Sequence, residues 1–115
     1  MTARTDRVGE EFREILAEAI LKLKDPRVGF VTVTGVKVTP DLRRAWVFYT
    51  SFGDDKARAG TRAALRSARP HLRSTIGRQV RLKYLPDLEF EEDQSMENGQ
   101  RIDELIRKLH EEERR

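Results

Sequence analysis

The chain has 115 residues, of which 37% are apolar and 37% charged, and its formal net charge is +3. This length accommodates one domain and a tail and excludes two separate cores, and the apolar fraction is too high for a disordered chain. The absence of cysteine excludes disulfides, thiolate metal sites and thiol nucleophiles. With no apolar leader and no run near the ~20 apolar residues that span a bilayer, we expect a soluble cytoplasmic protein.

Charge is divided unevenly along the chain. Residues 1–41 carry seven bases and seven acids, residues 42–85 eleven bases and two acids, and residues 86–115 five bases and eleven acids. A solvated surface normally mixes the two signs, so the central region indicates a polyanion or an acidic partner.

The first predicted element is an amphipathic helix. Apolar residues recur on one helical face from Thr5 to Lys24. Asp25-Pro26 should end the helix, because the residue before a proline avoids the helical region. We interpret this helix as core structure.

A β-hairpin is predicted next. Phe30–Thr39 is rich in β-branched residues, and its alternation changes phase at Gly35, which is typical of a β-bulge. Thr39-Pro40-Asp41 supplies turn residues and Ala45–Ser51 alternates as a second strand. The two strands should therefore pair antiparallel.

A basic helix interrupted by a proline follows the hairpin. Gly53-Asp54-Asp55 supplies a turn and an acidic N-cap. Five arginines then recur every three or four residues and fall within one helical arc of roughly 80°. We call them the arginine stripe and expect them to project outward as a cationic ridge: Arg58, Arg62, Arg66, Arg69 and Arg73.

Pro70 lies inside this helical pattern and cannot donate a hydrogen bond to the carbonyl of Arg66. The helix should therefore kink or divide there. The side chains on the face opposite the stripe are mostly small, which would let the helix lie close to a sheet. Its predicted inward residues are Ala57, Thr61, Ala64 and Ala68, with Leu65 at the margin and Leu72 and Ile76 after the bend.

The last strand is predicted after Gly77, which we expect to end the second helical piece. It covers Gln79–Leu85, with Val80, Leu82 and Tyr84 on one face, and extends the positive surface through Arg81 and Lys83. Pro86 limits this strand or places its last part at a sheet edge, with Leu88 and Phe90 resuming it. The resulting order, helix, strand, strand, bent helix, strand, predicts an α+β fold in which helices cover a small three-stranded sheet.

We divide the chain into a domain at residues 1–92 and a charged tail at residues 93–115. The tail carries four apolar residues at the spacing of a short amphipathic helix: Ile102, Leu105, Ile106 and Leu109. This helix could pack on the domain or dock on a partner, and the sequence leaves both open.

Over nearly its whole length the chain resembles the bacterial ribosome-binding factor A proteins. The matching stretches are Arg7-Val8, Lys24-Asp25-Pro26-Arg27-Val28, Val31-Thr32-Val33-Thr34, Val36-Lys37-Val38-Thr39-Pro40-Asp41-Leu42, Leu72-Arg73, Leu82-Lys83-Tyr84-Leu85-Pro86-Asp87-Leu88-Glu89-Phe90, Asp93 and Arg101-Ile102. The resemblance implies a type II KH-like domain. It also implies binding to the free small ribosomal subunit late in its maturation, with a role in rRNA processing and folding.

Two features bear on how such a domain would bind RNA. The family usually bends its paired helices at an Ala-x-Gly element, where this chain has Ala68-Arg69-Pro70. Its bend must therefore rely on proline stiffness. Ordinary KH domains clamp nucleotides with a Gly-x-x-Gly loop, which neither this chain nor the family has, so base-by-base reading of a single strand by that route is not expected.

Arginines on a rigid helix present fixed cations to phosphates and release counterions. The predicted RNA contacts are Arg58, Arg62, Arg66, Arg69, Arg73, Arg78, Arg81 and Lys83, flanked by Arg43 and Arg44. Three aromatics could stack on a base, although their two-residue period is more typical of a core: Trp46, Phe48 and Tyr49. Besides small-subunit rRNA, ribosomal proteins are candidate partners, and we expect a monomer.

Two other classes of function compete with RNA binding. A protein–protein adaptor would use the basic face for an acidic partner and the tail for apolar contact. A metal-dependent nuclease would need Mg²⁺ on an acidic cluster, Glu89, Glu91, Glu92 and Asp93, for which solvated edge charge is the simpler interpretation. His71 and His110 are the available neutral-pH acid–base groups, and no phosphate loop or zinc spacing accompanies them. We therefore expect no enzyme activity, no cofactor and no metal.

Overall fold

The computed structural model describes residues 3–93 and Arg107. Within them the elements are α1 (Ala3–Leu21), β1 (Val31–Val38), β2 (Arg44–Ser51), α2 (Asp55–Ser67), α3 (Arg69–Gln79) and β3 (Asp87–Glu92). This is the predicted α+β order, and it agrees with the KH-like domain that the resemblance implies. Apart from Arg107, the tail helix predicted around Ile102–Leu109 lies outside the described residues. No helix in the described part of the chain combines the length and apolar character needed to span a bilayer.

The sheet has the order β1-β2-β3. β1 and β2 pair antiparallel, and their register shifts between Val33 and Gly35, which confirms both the hairpin and the bulge. In the turn, Leu42 donates its N–H to the Thr39 carbonyl over 2.8 Å and has a φ of 61°. β2 and β3 pair parallel, so α2 and α3 form the crossover that parallel strands require.

The core lies between the helices and one face of the sheet. Its completely buried apolar side chains include Phe12, Leu16, Ala45, Val47, Leu65, Leu72 and Ile76. α1 lies close to β1 at Gly9, where a Cβ atom would lie 2.6 Å from the Val36 carbonyl oxygen. Glycine at this position therefore sets how near the helix lies to the strand.

α1 ends at Leu21, three residues before the predicted Lys24. Its last turn closes with i to i−3 bonds, from Lys22 N–H to Ala19 O over 3.1 Å and from Leu23 N–H to Ile20 O over 3.2 Å. Such bonds tighten a helix terminus and end the α-helical repeat before the proline can act.

The helix carrying the arginine stripe is capped and interrupted as predicted, with differences in detail. Asp54 caps α2 by accepting the Ala57 N–H over 2.8 Å. The interruption lies at Ala68, and Pro70 occupies the first turn of α3, where its missing N–H is tolerated. The inward face differs from prediction because Ala57 is exposed while Leu65 is completely buried. The larger apolar side chain takes the interior position.

The third strand was predicted at Gln79–Leu85, and this is wrong: β3 is Asp87–Glu92, the part after Pro86 where Leu88 and Phe90 were expected to resume the strand. α3 continues past Gly77 to Gln79, since the absence of a Cβ at Gly77 leaves space for the Leu85 side chain and does not end the helix. Residues 80–86 return the chain to the start of β2, where the Asp87 N–H donates to the Arg43 carbonyl over 2.8 Å. Their alternating apolar side chains, Val80 and Leu82, pack on the core without strand pairing.

Candidate nucleic-acid interface

The arginine stripe runs alongside β3 in the opposite direction. Two stripe arginines near the start of α2 reach the last residue of β3: Arg58 Nε lies 3.1 Å and Arg62 Nη2 3.5 Å from the Glu92 carboxylate. Farther along, Arg69 Nη1 lies 3.6 Å from Glu89, and Arg73 Nη2 lies 3.5 Å from Asp87. Acids of β3 therefore accompany four of the five stripe residues.

Glu92 is the most enclosed of these acids, with a side chain that is 7% exposed. Burial by itself would raise its pKa, but hydrogen bonds from the Ser51 hydroxyl and from Arg58 outweigh burial, so the pKa of Glu92 is lowered. The same carboxylate, together with burial as the larger cause, raises the pKa of the adjacent Tyr49. Glu92 therefore holds its negative charge at neutral pH and fixes α2 against the end of the sheet.

These ion pairs correct the expectation of an outward cationic ridge. Arg58, whose side chain is 23% exposed, turns toward Glu92 and not to solvent. Arg73 also donates hydrogen bonds within the domain, to the Leu85 carbonyl over 3.0 Å and to the Pro86 carbonyl over 3.1 Å. The helical period placed the arginines on one face correctly, but it could not indicate that an acidic strand faces them.

An open groove of about 450 Å³ lies where the two helices bend beside the start of β3. It brings together Arg44 and three stripe residues with Pro70, and it is also lined by Ser67, Leu88 and two acids. The basic lining is Arg44, Arg66, Arg69 and Arg73, and the acids are Asp87 and Glu89. Arg66 is exposed and, within residues 3–93, makes no side-chain ion pair. The groove thus has four guanidiniums against two carboxylates.

A second positive cluster adjoins the groove around Tyr84. The Arg43 guanidinium lies 4.1 Å from the centroid of the Tyr84 ring, and Lys83 Nζ lies 5.5 Å from it. Neither cation has an ion pair with a carboxylate in the described range. Tyr84 was not among the predicted contacts, because the false strand placed it on the same face as Val80 and Leu82. The available signal was Pro86, which limits a strand and places the residues just before it in a loop.

The remaining predicted contacts lie in different surroundings. Arg44 stacks over Trp46 with its guanidinium carbon 4.5 Å from the ring centroid. Arg78 donates to the Ser74 and Thr75 hydroxyls and lines a crevice against α1, away from the groove. Arg81 is exposed on the segment after α3. The ten predicted residues therefore do not form one site.

Trp46, Phe48 and Tyr49 are all buried, as the core interpretation predicted. Their burial leaves none of the three rings open for stacking on a base. Two acidic residues of the cluster considered as a Mg²⁺ site, Glu89 and Glu92, form ion pairs with arginines. Among residues 3–93, no three His, Asp or Glu side chains gather closely enough to hold a metal ion.

Comparison with known proteins identifies a family. A family model described as "Ribosome-binding factor A" matches residues 4–106. The ribosome-binding factor A of Geobacter sulfurreducens is 49% identical over 110 residues, which cover 95% of this chain and 93% of that protein.

Two solved structures are similar in fold. A solution structure of a putative ribosome binding factor A from Thermotoga maritima is 32% identical, has a TM-score of 0.72, and aligns over 83% of this chain and 92% of that one. A homology model of the Thermus thermophilus factor, fitted into a cryo-EM map of a 30S–RbfA complex, is 31% identical with a TM-score of 0.65. That alignment covers 76% of this chain and 92% of the other.

Proposed function

This chain belongs to the ribosome-binding factor A family, and from that premise we propose that it binds the free small ribosomal subunit late in its maturation and assists processing and folding of the rRNA. The contact surface in this proposal is the groove at the helix bend together with the positive cluster around Tyr84. The Thermus thermophilus relative fitted into a map of a 30S–RbfA complex supports the choice of partner.

The observation that carries the proposal is the four-arginine groove. Guanidiniums present several donors in a planar fork that matches phosphate oxygens, and a bend between two helices offers a concave surface for an RNA backbone. Phosphate contacts position a protein and carry little sequence information, so specificity would come from the shape of the folded rRNA.

The two acids beside the groove do not prevent this use. The Arg69–Glu89 and Arg73–Asp87 pairs are 3.6 Å and 3.5 Å long and lie between side chains that are at least two-fifths exposed. Surface pairs of this kind contribute only about 0–1 kcal/mol, so a phosphate can compete with these two acids. Arg73 keeps its hydrogen bonds to the Leu85 and Pro86 carbonyls and adds positive charge to the groove. The pair of Arg58 with Glu92 is shorter and more enclosed, and we assign it to holding the fold.

The proposal is tested by binding to purified immature small subunits over a range of salt concentrations. We expect affinity to fall steeply as salt rises, because phosphate binding releases counterions. We also expect the protein to co-sediment with free small subunits and to be absent from translating ribosomes. Affinity that does not change with salt would contradict a phosphate interface.

A charge-reversal pair locates the contact. Arg43→Glu with Arg66→Glu should weaken subunit binding and lower the slope of log affinity against log salt by about two. Both side chains are exposed, so the melting temperature should stay close to that of the unmodified protein. Arg4→Glu with Arg7→Glu is the matched control, since both arginines are exposed on α1, which packs over β1 at the opposite edge of the sheet from β3. If the pair and the control lost the same subunit affinity, binding would reflect nonspecific charge attraction and not contact at the groove.

The adaptor function makes a different prediction in the same assay. If the basic surface served an acidic protein, particles stripped to naked rRNA would lose binding, whereas an rRNA contact is retained by naked rRNA. The comparison of naked rRNA with intact immature subunits therefore separates the two functions.

A further inference from the structure

We propose that Tyr84 is a stacking site for an unpaired rRNA base, with Arg43 and Lys83 holding the phosphates on either side of that nucleotide. This inference rests on the proposed function and assigns a distinct role to one part of its surface. It begins from exposure: the Tyr84 side chain is 47% exposed, while Trp46, Phe48 and Tyr49 are in the interior.

The environment of Tyr84 suits a nucleotide. The Arg43 guanidinium lies 4.1 Å and Lys83 Nζ 5.5 Å from the ring centroid, so two positive charges lie beside one aromatic ring. Arg43 acts electrostatically on Asp41, but among residues 3–93 neither cation forms a salt bridge with a carboxylate. A ligand that combines a π-face with negative charge would satisfy the ring and both cations, and a nucleotide has both features.

The loop that carries Tyr84 is held from several directions. Arg73 on α3 donates to the carbonyls of Leu85 and Pro86. Leu85 itself packs against the space left by Gly77. A ring mounted on a loop with these contacts loses little conformational freedom when a base stacks on it.

The Arg43 side of the cluster is held as well. Its backbone N–H donates to Asp41 Oδ1 over 3.1 Å, and its carbonyl accepts the Asp87 N–H over 2.8 Å. The residue before it, Leu42, has a φ of 61°, in the left-handed region that non-glycine residues rarely occupy. Such local strain is maintained only where the surrounding structure holds it in place, so the backbone beside Arg43 is well fixed.

The stacking site is continuous with the groove. Arg73 lines the groove and also bonds to the two residues that follow Tyr84, and Arg44 lines it one residue after Arg43. One RNA strand could therefore lay phosphates along the groove and turn a single base onto Tyr84.

The test compares binding to immature small subunits with binding to inorganic polyphosphate, which has the charge of RNA but no bases. Tyr84→Leu should weaken subunit binding on the order of tenfold, whereas Tyr84→Phe should keep it within about twofold, because stacking needs the ring and not the hydroxyl. Polyphosphate affinity should be the same for both variants. Since Tyr84 is exposed, thermal melting should show both variants folded.

The outcomes separate this inference from the proposed function. If Tyr84→Leu binds subunits as tightly as Tyr84→Phe, stacking is wrong, and the proposed function stands provided that the Arg43 and Arg66 reversals weaken binding. If Tyr84→Leu weakens subunit and polyphosphate binding equally, the ring only positions the cations and stacking is again wrong. If the unmodified protein does not bind subunits, both proposals fall.

Discussion

The Nε atom of Arg58 on α2 lies 3.1 Å from the carboxylate of Glu92 at the end of β3, although 33 residues separate them in the chain. Glu92 also accepts the Ser51 hydroxyl over 2.7 Å, so one acid joins the first turns of α2 to the ends of two neighbouring strands. This contact links the crossover helix to the parallel pair β2–β3. It explains why part of the arginine stripe serves the fold.

We predict that Glu92→Gln destabilises the domain by about 1.5–3 kcal/mol, the usual range for hydrogen bonds to a charged group. The amide keeps the shape of the side chain but loses the charge that Arg58 and Arg62 face. Urea unfolding followed by circular dichroism measures the change. Glu91→Gln is the control, because Glu91 has no ion pair among residues 3–93. If the two variants had equal urea midpoints, the contact of Glu92 with Arg58 would not stabilise the fold.

The Glu92 contribution should also depend on pH. Its pKa is lowered in the folded protein, so the unfolded chain takes up the proton at higher pH than the folded one does. The stabilisation is therefore complete above the ordinary glutamate pKa of about 4.3 and is lost as pH falls through the lower folded value. The difference in unfolding free energy between the unmodified protein and Glu92→Gln should be constant from pH 7 to about 5 and narrow below about 4. A difference that narrows toward alkaline pH would contradict this account.

Local rules predicted much of the fold correctly. The change of alternation at Gly35 identified the bulge, because a strand repeat can only shift phase by an extra residue. Asp54 was identified as a cap because short acidic side chains satisfy the free N–H groups at a helix start. Each of these features depends on residues within a few positions of one another.

Features that depend on distant residues were not predictable in the same way. The alternating Val80 and Leu82 have the period of a strand, but the parallel pairing of β3 with β2 requires this segment to return the chain. The spacing of Arg58 and Arg62 placed them on one helical face, yet nothing local indicated that Glu92 would face them. The acidic run that begins at Asp87, directly after the basic region, was the available signal for this contact.

Glycine substitution should have opposite effects at two helical positions. In Gly9→Ala the new Cβ would lie 2.6 Å from the Val36 carbonyl oxygen, and we expect α1 to move from β1 at a cost of about 1–3 kcal/mol. In Gly60→Ala the nearest atom, the Arg27 carbonyl oxygen, is 3.6 Å away, which is ordinary contact. That variant should gain roughly 0.5–1 kcal/mol from helix propensity. Paired urea titrations measure both, and a stabilised Gly9→Ala would show that α1 and β1 are less closely packed than described.

Pro70→Ala tests the bend. Alanine restores an N–H that can bond to the Arg66 carbonyl and favours one continuous helix, which opposes the packing of Leu72 and Ile76. We expect about 0.4–1 kcal/mol of destabilisation, since proline at a compatible site restricts the unfolded chain, together with weaker subunit binding. Pro40→Ala in the β1–β2 turn is the control, because it relaxes the unfolded chain equally and leaves the groove intact. A Pro70→Ala protein with unchanged subunit affinity and an unchanged interhelical angle would show that proline does not set the bend.

Arg58 and Arg66 lie about two helical turns apart on α2 and have different surroundings. Arg58 pairs with Glu92, whereas Arg66 lines the groove without an ion pair among the described residues. Arg66→Gln should therefore weaken subunit binding and reduce its salt slope by about one, with the urea midpoint unchanged. Arg58→Gln should lower the urea midpoint and leave the salt slope as it was. Because each variant removes one positive charge from the same helix, the two serve as controls for each other. If both lowered the salt slope equally, the stripe would act as one RNA-binding surface despite its pairing with β3.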